Sequence, residues 1–218
     1  MVRIGCVDWS SGSGVGEGSE NLLILEGIVT TVGSAGDVRI SPMGSVVDAG
    51  MERLVLRPYP TSSTYENLKR SGAGVFHVTD DVLLMARAAV GRAAAAVERA
   101  ERVDGYVLAD CCRFYEFEVR ELDETGERMR IEAHVVRSGR KRDFLGFNRA
   151  KFAVVEAAIL ATRTEFLAAE MIFEEFERLA VLVSKTGGAP EREAFAFLER
   201  YVRREAQRTA ALGEEVVR

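Results

Sequence analysis

The stretch "VRISPMGSVVDAGMERLVLRPYPTSSTYENL", residues 38–68, decides the fold. It holds two runs rich in β-branched and large apolar residues, 38–47 and 52–58, separated by the turn-forming "DAGM". The first run contains Pro42. Proline cannot donate to a β ladder, so this strand must lie at an edge or carry a bulge there. Gly44, two residues on, lets another backbone or a ligand come close. After the second run come Arg57, two prolines, four consecutive hydroxyl residues from Thr61 to Thr64, and Asn67. Two readings of this cluster stand. Ser63-x-x-Glu66 has the form of a capping box, so the cluster starts a helix. A helix start also exposes unpaired N–H groups and a partial positive charge, which attract phosphate. Thr61, Ser62 and Thr64 would add O–H donors, and Arg57 a guanidinium fork matched to phosphate oxygens. Asn67, one turn in, could reach a ligand at the helix start.

Working outward, "LLILEGIVTTV" (22–32) reads as a strand that ends at Gly33, and the turn "GSAGD" joins it to the stretch above, giving a three-stranded meander. Downstream, a short helix fits 63–71. "AGVFHVT" (73–79) is a fourth strand, and Asp80 and Asp81 open a helix through "VLLMARAAV". The alanine-rich segment 91–102 reads as helical. "GYVLADCCRFYEFEVREL" and "ERMRIEAHVVRS" form a long hairpin around "DETGE". This order predicts a small antiparallel barrel with inserted helices. After Gly146 the chain reads as all helix. One helix covers "NRAKFAVVEAAILATR", a second stops at Gly187–Gly188, and a third is opened by Pro190 and runs to about Leu212. The expected division is a flexible leader at 1–20, a barrel domain at 21–145 and a helical region at 146–218, with no internal repeat.

Composition narrows the function classes. The chain has 218 residues, 47% of them hydrophobic, which is ample for a packed core, and a net charge of −5. A duplex nucleic-acid binder shows a basic face. The nearest candidate here, Arg137, Arg140, Lys141 and Arg142, lies in a glycine-containing loop and reads as solvated. Three cysteines, Cys6, Cys111 and Cys112, give neither a disulfide framework nor zinc spacing. Cys111 and Cys112 fall in a strand-like run, where neighbours point to opposite faces. The chain lacks an apolar run of the ~20 residues a membrane span needs, and its start lacks the apolar core of a signal peptide. The expectation is a soluble, cytoplasmic protein. The alternating glycines of "WSSGSGVGEGSE" (9–20) precede a strand instead of following one, so they do not make a dinucleotide fingerprint.

Five stretches together resemble one known family: "EGIVTT" (26–31), "SPMG" (41–44), "LRPYPTSSTYENL" (56–68), "FHVTDD" (76–81) and "GFNRAKFAVVEAAILATRT" (146–164). Over roughly 22–212 the chain resembles the FMN-binding split barrels of the flavin-reductase-like superfamily, and within them the domain of unknown function family 447. The departures are Ser41 in place of alanine, His77 in place of asparagine, and the glycine-rich leader. The resemblance implies an α+β, mainly β fold: a split barrel with inserted helices and a C-terminal helical layer. It implies a homodimer with FMN bound between subunits. It implies that Arg57 and Thr61, Ser62, Ser63 and Thr64 surround the phosphate, with Tyr59 and Asn67 in the same cofactor-binding set. It also implies that the backbone of Pro42, Met43 and Gly44 borders the isoalloxazine ring. Arg149 and Lys151, in "NRAK", are expected near the phosphate. The function expected is flavin-dependent oxidoreduction with NAD(P)H or a small organic substrate. The alternative is FMN binding without turnover, as a carrier, sensor or scaffold.

Other residues carry weaker signals. Arg149, Glu156 and Arg163 recur at intervals of seven, on one helix face, and read as a buried or half-buried ion-pair row or as neighbours of the phosphate. Glu26, inside an apolar strand, is a partner for Arg163 or Lys151. His77 either faces the flavin or is a core histidine, while His134 reads as structural. Neither histidine has a second His or Cys at ligand spacing, so no metal site is expected. A serine-nucleophile elbow is absent, and the sequence identifies no catalytic residue.

Overall fold

A computed structural model describes residues 23–91 and 93–216; the glycine-rich leader and Cys6 lie outside the described residues. β1 (Leu23–Val32) and β2 (Val38–Val47) pair along their whole lengths, from Leu23↔Val47 to Val32↔Val38. The turn between them closes with the Gly33 amide donating to the Asp37 carbonyl at 2.8 Å, and Gly36 takes φ +84°, which favours glycine. β3 (Arg53–Leu56), α1 (Ser63–Ser71), β4 (Ala73–Val78) and α2 (Val82–Ala89) follow. β7 (Arg113–Asp123) and β8 (Arg130–Arg140) form the long hairpin. Six strands close a barrel in the order β1-β2-β3-β8-β7-β4, with β4 returning to β1. Closure removes the free edges of an open sheet.

β2 meets β3 at Val46 and Val47 alone, so Pro42 stands on a stretch with β1 on one side and no strand on the other. The edge alternative for Pro42 therefore holds, with the β1–β2 register unbroken through it. The barrel interior is filled by Val29, Val47, Leu54, Leu56, Leu68, Phe76, Phe117 and Ile131, with Tyr65 and Leu68 of α1 entering from one side. Outside the wall, Ile28, Ile40, Val75 and Phe114 pack against Leu84, Met85 and Ala88 of α2.

Two expectations fail here. The alanine-rich segment 91–102 is not a helix. It turns away at Gly91 (φ +74°) and supplies β5 (Val97–Arg99), paired with β6 (Tyr106–Leu108) as a separate two-stranded sheet. Val97, Ala100 and Val103 pack on the outer barrel wall, and that burial outweighs the local helix preference of alanine. The hairpin run is also broken. Cys111 and Cys112 sit in the bend between β6 and β7, both buried as free thiols, and burial raises the Cys111 thiol to about 11.

α3 (Arg149–Ala161), α4 (Ala169–Thr186) and α5 (Ala189–Val216) complete the chain. Asn148 caps α3, its Oδ1 accepting from the amides of Ala150 (2.9 Å) and Lys151 (3.2 Å). The buried face of α3 is Ala150, Ala153, Val154, Ala157, Ala158 and Ala161, small side chains that let α2, α4 and α5 approach closely. A polar node ties this layer to the barrel. Lys151 Nζ donates to the Asp80 carbonyl at 2.7 Å and pairs with Glu191 at 2.8 Å, while Arg142 pairs with Asp80 at 2.6 Å. Among the described residues no helix is long and apolar enough to cross a membrane.

Candidate functional site

The start of α1 lies against β2. Ser62, not Ser63, is the N-cap: its hydroxyl accepts from the Tyr65 amide at 3.2 Å and donates to the Tyr59 carbonyl at 2.8 Å. The capping box therefore fails by one residue. Thr64 is buried, with its Oγ1 2.7 Å from Ser41 Oγ on β2. Asn67 is buried too, its Nδ2 donating to Thr31 Oγ1 on β1 at 3.0 Å. These contacts sort the cluster. Ser62 and Asn67 hold α1 in place. Thr61 and Ser63 are exposed, and the amides of Ser63 and Thr64 belong to the first helical turn, which has no acceptor within the helix. In the Ser41–Thr64 pair one hydroxyl donates to the other, which leaves one O–H free to donate onward. Ser41, the departure from the family pattern, thus joins the cluster.

The β1–β2 register places Glu26 opposite Gly44. A Cβ at position 44 would lie 2.8 Å from Glu26 Oε1. The absent side chain of Gly44 is what leaves room for that carboxylate and a bare stretch of backbone beside it. Arg57 is exposed at the end of β3. Tyr59 is exposed beneath the Arg128 guanidinium, 4.0 Å from ring centroid to Cζ.

The remaining candidates separate. Lys151 is engaged by Asp80 and Glu191, and the structure gives it no contact with the hydroxyl cluster. Arg149 is exposed at the first turn of α3. The row Arg149, Glu156, Arg163 is exposed in the single chain instead of buried, and Arg163 falls in the turn after α3. Glu26 pairs with neither Arg163 nor Lys151. Partial burial and the nearby Glu156 carboxylate push it above the usual carboxylate range. As a residue Glu26 is exposed, and its carboxyl lies in the space a side chain at Gly44 would fill. His77 is a core histidine. It is 0% exposed, its Nδ1 donates to the Ile28 carbonyl at 3.1 Å, and its Nε2 accepts from the Leu108 amide at 3.0 Å. Those partners fix the neutral tautomer, and burial lowers its pKa to about 4. Sequence reasoning missed Ser41 and Glu26 as site neighbours. The signals were the hydroxyl at an alanine position and an acid in an apolar strand.

A closed six-stranded barrel with inserted helices and a C-terminal helical layer is the arrangement of an FMN-binding split barrel. Family models agree on the family. The model described as "Protein of unknown function (DUF447) N-terminal domain" matches residues 25–142, and "Protein of unknown function (DUF447)" matches 148–200; the chain belongs to this family. None of the curated proteins matches it. Among solved structures, an FMN-bound protein of Methanosarcina mazei from the same family is similar at a TM-score of 0.73 and 24% identity, covering 82% of this chain and 94% of that one. The NADH:FAD oxidoreductase SgcE6 of Streptomyces globisporus C-1027 (TM-score 0.45, 15% identity, 54% of this chain, 75% of that one) is more distant. So is the styrene monooxygenase flavin reductase of Pseudomonas putida S12 (0.45, 12%, 55% and 82%).

Proposed function

We propose that this protein binds FMN through the start of α1 and the Pro42–Gly44 floor, and that it serves flavin-dependent oxidoreduction. One observation carries the reading: β2 links the hydroxyl cluster at the start of α1 to the Pro42–Gly44 backbone. Ser41 touches Thr64 at 2.7 Å, and Gly44 lies three residues along the same strand, about 10 Å away. Thr61 and Ser63, the first-turn amides and Arg57 would hold the phosphate. The backbone of Pro42, Met43 and Gly44 would face the ring. The FMN-bound relative in the same family supports this cofactor. When bound, FMN supplies the redox chemistry; the chain positions the ring and shields one side of it from water.

The functional unit in this reading is a homodimer that covers the exposed side of α3. Phe144, Phe147 and Phe152 cluster there, Phe144 edge-on to Phe147 at 6.4 Å and Phe147 stacked on Phe152 at 6.0 Å between ring centroids, and Phe147 is 91% exposed. An exposed aromatic patch of this kind marks an association surface. The experiment adds FMN to the purified protein, removes free cofactor, and mixes the yellow protein anaerobically with NADH or NADPH. Bleaching of the flavin band supports oxidoreduction with a reduced nicotinamide as electron donor. Retention of colour without bleaching leaves binding and removes that donor. Colourless protein overturns the reading.

A further inference from the structure

Glu26 is a charged side chain set directly against Gly44 of the proposed ring floor, and its setting is unusual. It stands in direct register with Gly44, its Oε1 occupies the space above that glycine, and among the described residues no hydrogen-bond or ion-pair partner holds it. We propose that Glu26 is the side chain that hydrogen-bonds the ring of the bound cofactor, its protonated carboxyl O–H donating to an acceptor on the ring's polar edge. This rests on the FMN reading above.

The groups around Glu26 decide its protonation. Glu156 on α3 faces it and disfavours a second negative charge. Arg57 is exposed just past the end of β3, and no pairing of β3 with β2 reaches Gly44. On β4, His77 is held neutral between Ile28 and Leu108. Lys151 is taken by Asp80 and Glu191, and Arg149 sits at the exposed first turn of α3. A planar ring laid along the Pro42–Gly44 backbone beside the carboxyl removes the water that still reaches it. Desolvation beside a like charge then favours the acid form. Ligand binding must therefore take up a proton wherever free Glu26 is ionised.

The test is the affinity of riboflavin and of FMN from about pH 5 to about pH 8, read by quenching of flavin fluorescence. Riboflavin lacks the titrating phosphate, so its slope belongs to the protein. Wild type is expected to lose affinity as pH rises, by up to about tenfold per unit for one proton. Glu26→Gln, which donates a hydrogen bond at every pH, is expected to bind with no such slope and at least as tightly as wild type at the alkaline end. Glu156→Gln is expected to retain the slope but begin it at lower pH, because removing the like charge lets free Glu26 ionise at lower pH. A flat wild-type profile, or a slope that survives Glu26→Gln, overturns the inference. Failure of both flavins to bind at any pH overturns the FMN reading instead.

Discussion

The neutral, buried His77 predicts a specific acid sensitivity. The folded imidazole protonates near pH 4 and an ordinary one near 6.5. That difference of about 2.5 units, at 1.36 kcal/mol each, is about 3 kcal/mol. The folded-state pKa is depressed and the group is a base, so unfolding takes up a proton as soon as the pH drops below 6.5. The stability it provides is complete above pH 6.5 and is lost as pH falls toward 4. His77→Gln removes the titrating ring while an amide can still donate toward Ile28 and accept from Leu108. Urea denaturation of both proteins at one concentration, at about pH 7 and about pH 4.5, isolates the effect. Carboxylates such as Asp80 and Glu191, held below their usual range by cationic partners, titrate in both proteins and cancel in the comparison. Wild type should lose roughly 2–3 kcal/mol more than the variant across that interval. Equal losses would refute the assignment of His77 as a neutral core group.

Three further outcomes follow from the site. Ser62→Ala should cost about 1 kcal/mol by removing the cap of α1, while Ser63→Ala should cost a few tenths; in thermal melts that is a fall of about 2–4 °C against almost none. Lys151→Met strands the buried Glu191 and should destabilise the fold by roughly 3 kcal/mol, the low end for a buried pair because the lysine side chain keeps 21% exposure, yet leave the ratio of FMN to riboflavin affinity unchanged. Phe147→Asp combined with Phe152→Asp should reduce the light-scattering mass to that of a single chain, and an unchanged mass would remove the aromatic patch from the dimer interface.

Much of this architecture is legible in the sequence because local and tertiary preferences agree. The β1–β2 hairpin is written in apolar runs broken by glycine turns, and α1 follows its hydroxyl cluster. Where they disagree, the sequence misleads. Alanines 93–96 favour helix locally, but Val97, Ala100 and Val103 are needed on the barrel wall. Among four adjacent hydroxyls several could cap α1, and the choice of Ser62 depends on the Tyr59 carbonyl, which the chain brings into place through a turn. The environment of Glu26 depends on which β2 residue faces it. Register sets that, and a single strand's pattern does not reveal it.

The central claim is that the start of α1 holds a phosphate whose ring lies along β2. It is tested most directly by titrating the apo-protein with FMN and with riboflavin, in wild type and in Arg57→Ala. Wild type should prefer FMN by at least about tenfold, since one charge-assisted contact contributes roughly 1.5–3 kcal/mol. Arg57→Ala should shrink that preference while leaving riboflavin affinity nearly unchanged. Equal affinity of wild type for the two flavins would contradict the account.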